Sequence, residues 1–190
     1  DLKANSSASS ADTRIYPSLG WSRENEAKGS TLMAGISYSG EYDYQSIGAN
    51  IGFAQKTGNK MGEITAKLQA FIDQVSMIAP IELRDDPAIQ SSGSNGRNTF
   101  ALSLSYSQII NKNFQLEVMT DAVQQTGYLS LPFHRVYFTD GSVHQEALPD
   151  KRFKLPLGLR ANYFFGDKLI VKAYYRYYTD DWGLKSNTIN

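Results

Sequence analysis

Apolar and polar residues alternate with a period of two through most of this chain, which predicts β-strands. The alternation is easiest to read near the end of the chain, because successive side chains of a strand point to opposite faces. One face there would carry Leu169, Val171, Ala173, Tyr175 and Tyr177, and the other Ile170, Lys172, Tyr174, Arg176 and Tyr178. Such a strand suits an apolar exterior and a wet interior, which reverses the arrangement of a soluble domain.

Eight strands are predicted by this alternation. They lie at about residues 15–21, 31–39, 47–53, 64–72, 100–106, 114–121, 153–163 and 169–178. Residues 1–12 are rich in Ser and Ala and are predicted to be a flexible lead-in. We expect residues 13–190 to form a β-barrel segment, with long loops near residues 74–98 and 126–152.

The lengths of the connections predict the topology. Short turns follow the fifth and seventh strands and long loops follow the fourth and sixth, so every long loop would lie at one rim. This asymmetry is typical of an all-β, antiparallel, up-and-down transmembrane β-barrel of the outer-membrane type. The first strand would begin at the long-loop rim and no closing strand is predicted at residues 187–190, so we expect the chain to cover only part of the full barrel.

A soluble antiparallel β-domain is the alternative fold. In that case other protein groups would bury the residues that a barrel would expose to lipid, which are Leu155, Leu157, Leu159, Leu169 and Val171. Exposure of these residues in one belt would favour the barrel.

Composition narrows the class of function. The 19 basic and 19 acidic residues balance, so nucleic acid is not an expected partner. The absence of Cys excludes disulfides, thiolate metal sites and a Cys nucleophile, and it fits an exported chain. The apolar runs are far shorter than the roughly 20 residues of a spanning helix.

Four sequence blocks resemble a bacterial outer-membrane β-barrel family, the one catalogued as domain of unknown function three-five-seven-zero. They are SGEYDYQS at residues 39–46, GYLSLPFHRV at 127–136, PDKR at 149–152 and YYRYYTDDWG at 174–183. The last block is the most specific. The resemblance implies an outer-membrane location in Gram-negative bacteria and a barrel larger than 190 residues, and it implies no catalytic residue.

The polar faces of the predicted strands carry charges that would line the lumen. These candidates are Lys67, Asp73, Glu117, Asp121, Lys154, Arg160, Lys172 and Arg176. Acidic and basic walls facing each other would orient polar solutes in a pore. Alternatively, the charges pair with one another and fill the interior.

Two further sets of residues are expected at the rims. Tyr163, Tyr175, Tyr177 and Trp182 are candidates for an aromatic girdle at the lipid headgroups. Glu41, Asp43, Asp180 and Asp181 would lie at the long-loop rim. These carboxylates could hold Ca²⁺, or they could be solvated or pair with Arg135 and Arg152.

Histidine chemistry gives the alternative function. His134 and His144 both lie in the second long loop, near Asp140 and Ser142. An outer-membrane hydrolase or a metal site built on them requires the two imidazoles, or one imidazole and Asp140, to lie within hydrogen-bonding reach. The preferred prediction is a barrel that acts as a pore, a transport component or a scaffold subunit, with no cofactor. Its expected partners are the outer-membrane lipid bilayer and other envelope proteins.

Overall fold

Nine consecutive strands pair with their neighbours in one antiparallel sheet, and a separate two-stranded hairpin interrupts the series. The fold comes from a computed structural model that describes residues 13–79, 85, 94–131, 134–166 and 168–190. The described residues contain no helix that is long and apolar enough to cross a membrane.

The sheet contains all strands except the seventh and eighth. Its order is β1 (Ser18–Asn25), β2 (Ser30–Gly40), β3 (Tyr44–Lys56), β4 (Gly62–Ser76), β5 (Ser94–Asn111), β6 (Phe114–Gly127), β9 (Lys151–Phe165), β10 (Leu169–Asp180) and β11 (Lys185–Ile189). The hairpin consists of β7 (Arg135–Tyr137) and β8 (Val143–Gln145). The all-β, antiparallel, up-and-down arrangement predicted from the sequence is therefore confirmed.

On the middle strands β3 to β5, the two faces of the sheet differ in burial in the opposite sense to a soluble sheet. On the apolar face, Ile47 and Ile72 are each 62% exposed. On the polar face, their strand neighbours Ser46 and Asp73 are only 8% and 3% exposed. Side chains of neighbouring strands cover part of the polar face, as where Arg97 on β5 pairs with Asp73 on β4.

An apolar belt runs across the strands on the exposed face. One cross-strand row joins Ala34, Ile51, Leu68, Leu102 and Ala122 on five neighbouring strands. Polar residues limit the belt at both ends of the strands, since the same face carries Gln45, Gln55, Gln74, Gln108 and Gln124 beyond the apolar runs. The belt is thus a band across the strands rather than a local patch.

The connections of the meander lie alternately at the two ends of the strands, which we call the short-turn edge and the long-loop edge. The short-turn edge contains residues 26–29, 57–61, 112–113 and 166–168. The connections at the long-loop edge join Gly40 to Tyr44, Ser76 to Ser94, Gly127 to Lys151 and Asp180 to Lys185. Both long connections lie at the same edge, as the sequence predicted. The outermost strands, β1 and β11, both run from the long-loop edge to the short-turn edge.

The structure differs from the sequence prediction in its strand boundaries. β4 and β5 extend into the first predicted loop, because polar residues continue the ladder from Ser76 paired with Ser94. The second loop contains the β7–β8 hairpin. A ninth strand, β11, follows the eighth predicted strand, where the sequence predicted no closing strand; its run KSNTI lacks apolar alternation and gave no signal. The predicted lead-in, residues 1–12, lies outside the described residues.

Candidate functional site

The candidate site is the polar face of the sheet. The strand register places all eight predicted lumen charges on this face. Four ion pairs form there. Three join residues on neighbouring strands, and the fourth joins Lys56 on β3 to Glu24 on β1 at 2.8 Å. Several of the other charges have no partner. The arrangement can therefore bind water or polar solutes over part of its area.

The first pair joins Glu117 on β6 to Arg160 on β9, two residues that lie directly opposite each other. The Arg160 Nη1 donates to Glu117 Oε2 at 2.7 Å. The guanidinium also lies 5.7 Å from the centre of the Tyr174 ring on the next strand. Both partners were predicted as lumen charges, and the structure shows that they neutralise each other.

The second pair joins Asp73 on β4 to Arg97 on β5. The Arg97 Nε donates to Asp73 Oδ2 at 2.9 Å, and its guanidinium lies 5.2 Å from the centre of the Tyr44 ring. The Asp73 side chain is 4% exposed, and its Oδ1 accepts no hydrogen bond from the described residues. The sequence prediction missed Arg97, because it assigned residues 74–98 to a loop.

The third pair organises the long-loop edge. Arg152 on β9 donates from Nε and Nη2 to Asp180 Oδ2, at 2.9 and 2.5 Å, and the Tyr178 hydroxyl donates to the same oxygen at 2.7 Å. Asp180 Oδ1 accepts from the backbone N–H groups of Trp182 and Leu184, at 3.1 and 2.9 Å. The enclosed carboxylate of Asp180 therefore holds the turn between β10 and β11 as well as the ion pair.

Five of the predicted lumen charges have no ionic partner among the described residues. The side chains of Lys67, Asp121, Lys154 and Lys172 form no hydrogen bond or ion pair there. The guanidinium of Arg176 lies 5.9 Å from the centre of the Tyr178 ring and forms no ion pair with the described residues. Lys154 lies within electrostatic reach of Arg97 and Arg152, which share its charge, and of Asp180. Four of these five groups are cationic, so the polar face keeps an excess of positive charge at its uncompensated positions.

The girdle candidates occupy two kinds of place. Tyr163 and Tyr175 lie on the apolar face, 41% and 42% exposed, and Tyr177 is half-buried on the same face. Trp182 instead lies in the turn at the long-loop edge, where its Nε1 donates to the carbonyl of Lys151 at 2.8 Å and its ring lies 4.3 Å from the guanidinium of Arg152. A headgroup role for these four residues stays a prediction.

The four rim carboxylates lie at the long-loop edge but in two distant places. Glu41 and Asp43 connect β2 to β3, while Asp180 and Asp181 lie five strand spacings away, about 24 Å along the sheet. Arginines occupy two of the four, since Glu41 pairs with Arg14 at 3.2 Å and Asp180 with Arg152. The described residues contain no cluster of His, Asp and Glu that could hold a metal ion. The structure therefore does not assemble these carboxylates into the Ca²⁺ site that the sequence allowed.

The histidine loop forms the β7–β8 hairpin. At its tip, the Ser142 hydroxyl donates to Asp140 Oδ1 at 2.7 Å and lies 3.2 Å from His144 Nε2. The Ser142 N–H and hydroxyl lower the pKa of Asp140. His134 lies apart from this group, 3.5 Å from Glu146 Oε1. A nucleophilic triad needs the imidazole between the hydroxyl and the carboxylate, whereas here the hydroxyl lies in the middle.

A cavity of about 410 Å³ lies beside this hairpin, and no sequence pattern predicted it. Its wall includes Met77, Ser130, Glu146 and Leu148, and the Ser130 hydroxyl accepts from the Leu148 N–H at 2.7 Å. The Tyr128 hydroxyl, also in the wall, is enclosed and has no hydrogen-bond partner among the described residues. Burial and the nearby charge of Glu146 raise the pKa of Tyr128.

Fold and site together define an antiparallel β-meander that exposes an apolar face and shields a charged one. Within that class, the chain belongs to the family described as Protein of unknown function (DUF3570), which it matches over residues 4–190. The family resemblance seen in the sequence is thereby confirmed. No curated protein and no solved structure gives a significant match.

Proposed function

We propose that this sheet is the lipid-facing wall of a bacterial outer-membrane β-barrel that acts as a pore or transport component. The observation that carries the proposal is the exposed apolar belt, which has a polar limit at each end. Of the five residues that a soluble domain would bury, Leu157, Leu159, Leu169 and Val171 are 46%, 42%, 55% and 42% exposed, and Leu155 is half-buried. A hydrocarbon layer removes such a surface from water without any second protein layer.

The dimensions of the belt support this proposal. On β4 the apolar run extends from Ile64 to Ile72, nine residues that span about 27 Å along the strand at about 3.3 Å per residue. A strand tilt of about 40° reduces the height to about 21 Å, close to the apolar band of about 25 Å in outer-membrane barrels. The same face has an apolar groove of about 490 Å³ that includes Ala49, Ala70 and Ala122, which suits a hydrocarbon chain.

The polar face supports a wet interior over a plugged one. Lysines 67, 154 and 172 form no ion pair within the described part of the chain, and a charge without a partner needs water. β1 and β11 run in the same direction, so these two outermost strands cannot pair with each other in an antiparallel barrel. Closure therefore requires an odd number of further strands, which this or another chain would supply.

Fluorophores on single cysteines test the proposed membrane wall, because the chain has no native Cys. Leu102→Cys places the label on the apolar face of β5, and Ser103→Cys places it on the polar face one residue later. In vesicles we expect spin-labelled acyl chains to quench the label at 102, and aqueous iodide to quench the label at 103. Equal quenching of both labels by iodide would contradict a lipid-facing belt.

Single-channel recording in a planar bilayer then separates a pore from a scaffold. We expect discrete conductance steps from the protein once the further strands close its barrel, because uncompensated charges line the polar face. A chain that inserts, as the labels report, but gives no conductance would be a scaffold. Insertion and conductance are thus read independently.

A further inference from the structure

The short-turn edge carries one exposed lysine in each of its four turns. These residues are Lys28, Lys60, Lys112 and Lys168. Within the described part of the chain, none of their ammonium groups forms an ion pair or a hydrogen bond. The four turns contain two acidic residues, Glu26 and Asp167, so their net charge is +2.

The connections at the long-loop edge have the opposite charge. They contain nine acidic and two basic residues, which gives a net charge of −7, although the whole chain is neutral. This separation of charge makes one end of the strands net positive and the other net negative. An anionic surface would attract the short-turn edge and repel the long-loop edge.

The backbone of Lys60 adopts a conformation that is unusual for a lysine. Its φ of 58° lies in the left-handed region, and it is the one non-glycine residue with positive φ in the described ranges. Glycine or asparagine would adopt this conformation at lower cost. Both types precede it directly in the turn, as Gly58 and Asn59, yet a lysine occupies the strained position.

An aromatic cluster lies beside the lysines on the apolar face. The Tyr163 ring centre is 6.2 Å from that of Phe114 and 4.5 Å from that of Phe165. Phe114 follows the turn that contains Lys112, and Phe165 precedes the turn that contains Lys168. Aromatic rings at the end of an apolar belt, with lysines just beyond them, match the depth of lipid headgroups and their phosphates.

We propose that the short-turn edge binds the phosphate headgroups of an anionic lipid leaflet through Lys28, Lys60, Lys112 and Lys168. This inference rests on the proposed membrane-spanning function. Each lysine near an anionic surface strengthens the attraction about fivefold at low salt. Because the charges are exposed, salt screens this attraction within about 10 Å at 0.1 M.

The test measures lipid selectivity of the full chain in vesicles of phosphatidylcholine with a minor share of phosphatidylglycerol. Spin-labelled analogues of both lipids report which of them contacts the inserted protein. We expect the wild type to prefer phosphatidylglycerol several-fold, and the quadruple Lys→Gln variant at these four positions to lose that preference. The matched control, Lys151→Gln with Lys185→Gln, removes two exposed lysines at the long-loop edge and should keep it.

The outcomes separate this inference from the proposed function. Insertion with equal contact to both lipids, or a control that loses the preference as fully as the quadruple variant, overturns the lysine site and leaves the membrane wall standing. Failure to insert into either vesicle overturns both proposals. If inorganic phosphate at matched ionic strength removes the preference and sulfate does not, the lysines bind free phosphate and the lipid assignment is wrong.

Discussion

A lysine at the centre of the apolar belt should destabilise the protein far more than a lysine one residue away. Leu68 lies on β4, four residues from either end of the apolar run, or about 13 Å along the strand. It is 52% exposed, so in water its replacement by Lys would change the free energy of unfolding by less than about 0.5 kcal/mol. At a bilayer midplane the same change costs about 2–4 kcal/mol.

The structure supplies two matched controls on the same strand. Gln69→Lys places the charge on the polar face, where we expect a change of less than about 0.5 kcal/mol. Gln74→Lys keeps the charge on the apolar face but moves it to the edge of the belt, where the cost falls to about 0–1 kcal/mol. The three variants thus separate the effect of face from the effect of depth.

The assay is reversible denaturant unfolding in vesicles, followed by tryptophan fluorescence. For Leu68→Lys the unfolding equilibrium constant should rise about 30-fold to 1,000-fold over the wild type. A similar cost at all three positions would remove the distinction between faces. A negligible cost at Leu68 would mean that water, not lipid, covers the belt.

Three further predictions concern single interactions. A double-mutant cycle of Glu117→Gln and Arg160→Met should give a coupling of about 0.2–1 kcal/mol in denaturant unfolding, because Arg160 is 48% exposed and water screens the pair; a coupling above about 2 kcal/mol would indicate a dry, plugged interior. Asp180→Ala should accelerate hydrogen exchange of the Trp182 amide about tenfold, and Asp180→Asn, which keeps an acceptor, should accelerate it less. Equal exchange rates in the two variants would show that the Asp180 side chain does not protect this amide. The hydroxyl and the N–H of Ser142 lower the pKa of Asp140 in the folded hairpin, so the contribution of this carboxylate to stability is present above its unfolded pKa and is lost as the pH falls through the lower folded value. Ser142→Ala removes the hydroxyl but keeps the N–H donor, so a pH series of hairpin NMR shifts should show the Asp140 pKa rising part of the way to its unfolded value; no rise would contradict the role of the hydroxyl.

The alternation of apolar and polar residues predicted those strands whose own sequence contains a regular apolar face. Ile64, Leu68 and Ile72 recur on one face of β4, and the structure places them as predicted. The polar ends of β4 and β5 carry no such signal, because their pairing is decided by neighbouring strands. β11 was missed for the same reason, since backbone pairing to β10 alone defines it.

The sequence predicted which charged residues lie on the polar face, but it did not predict which of them form ion pairs. The parity of each strand assigned Glu117 and Arg160 to the polar face, whereas their contact depends on the register between β6 and β9. Arg97 and Tyr128 lay in segments assigned to loops, and their roles depend on burial created by residues distant in sequence. A period along one strand contains no information about such neighbours.

The common direction of β1 and β11 also restricts how copies of the protein could associate. In the proposed membrane-spanning arrangement, copies that insert the same way are related by rotation about the membrane normal, which leaves every strand direction unchanged. The outermost strands of two such copies could therefore pair only in parallel, without the antiparallel ladder that joins all nine strands of the sheet. Side-by-side pairing of copies is thus disfavoured. We expect β1 and β11 each to pair instead with a strand that runs in the opposite direction.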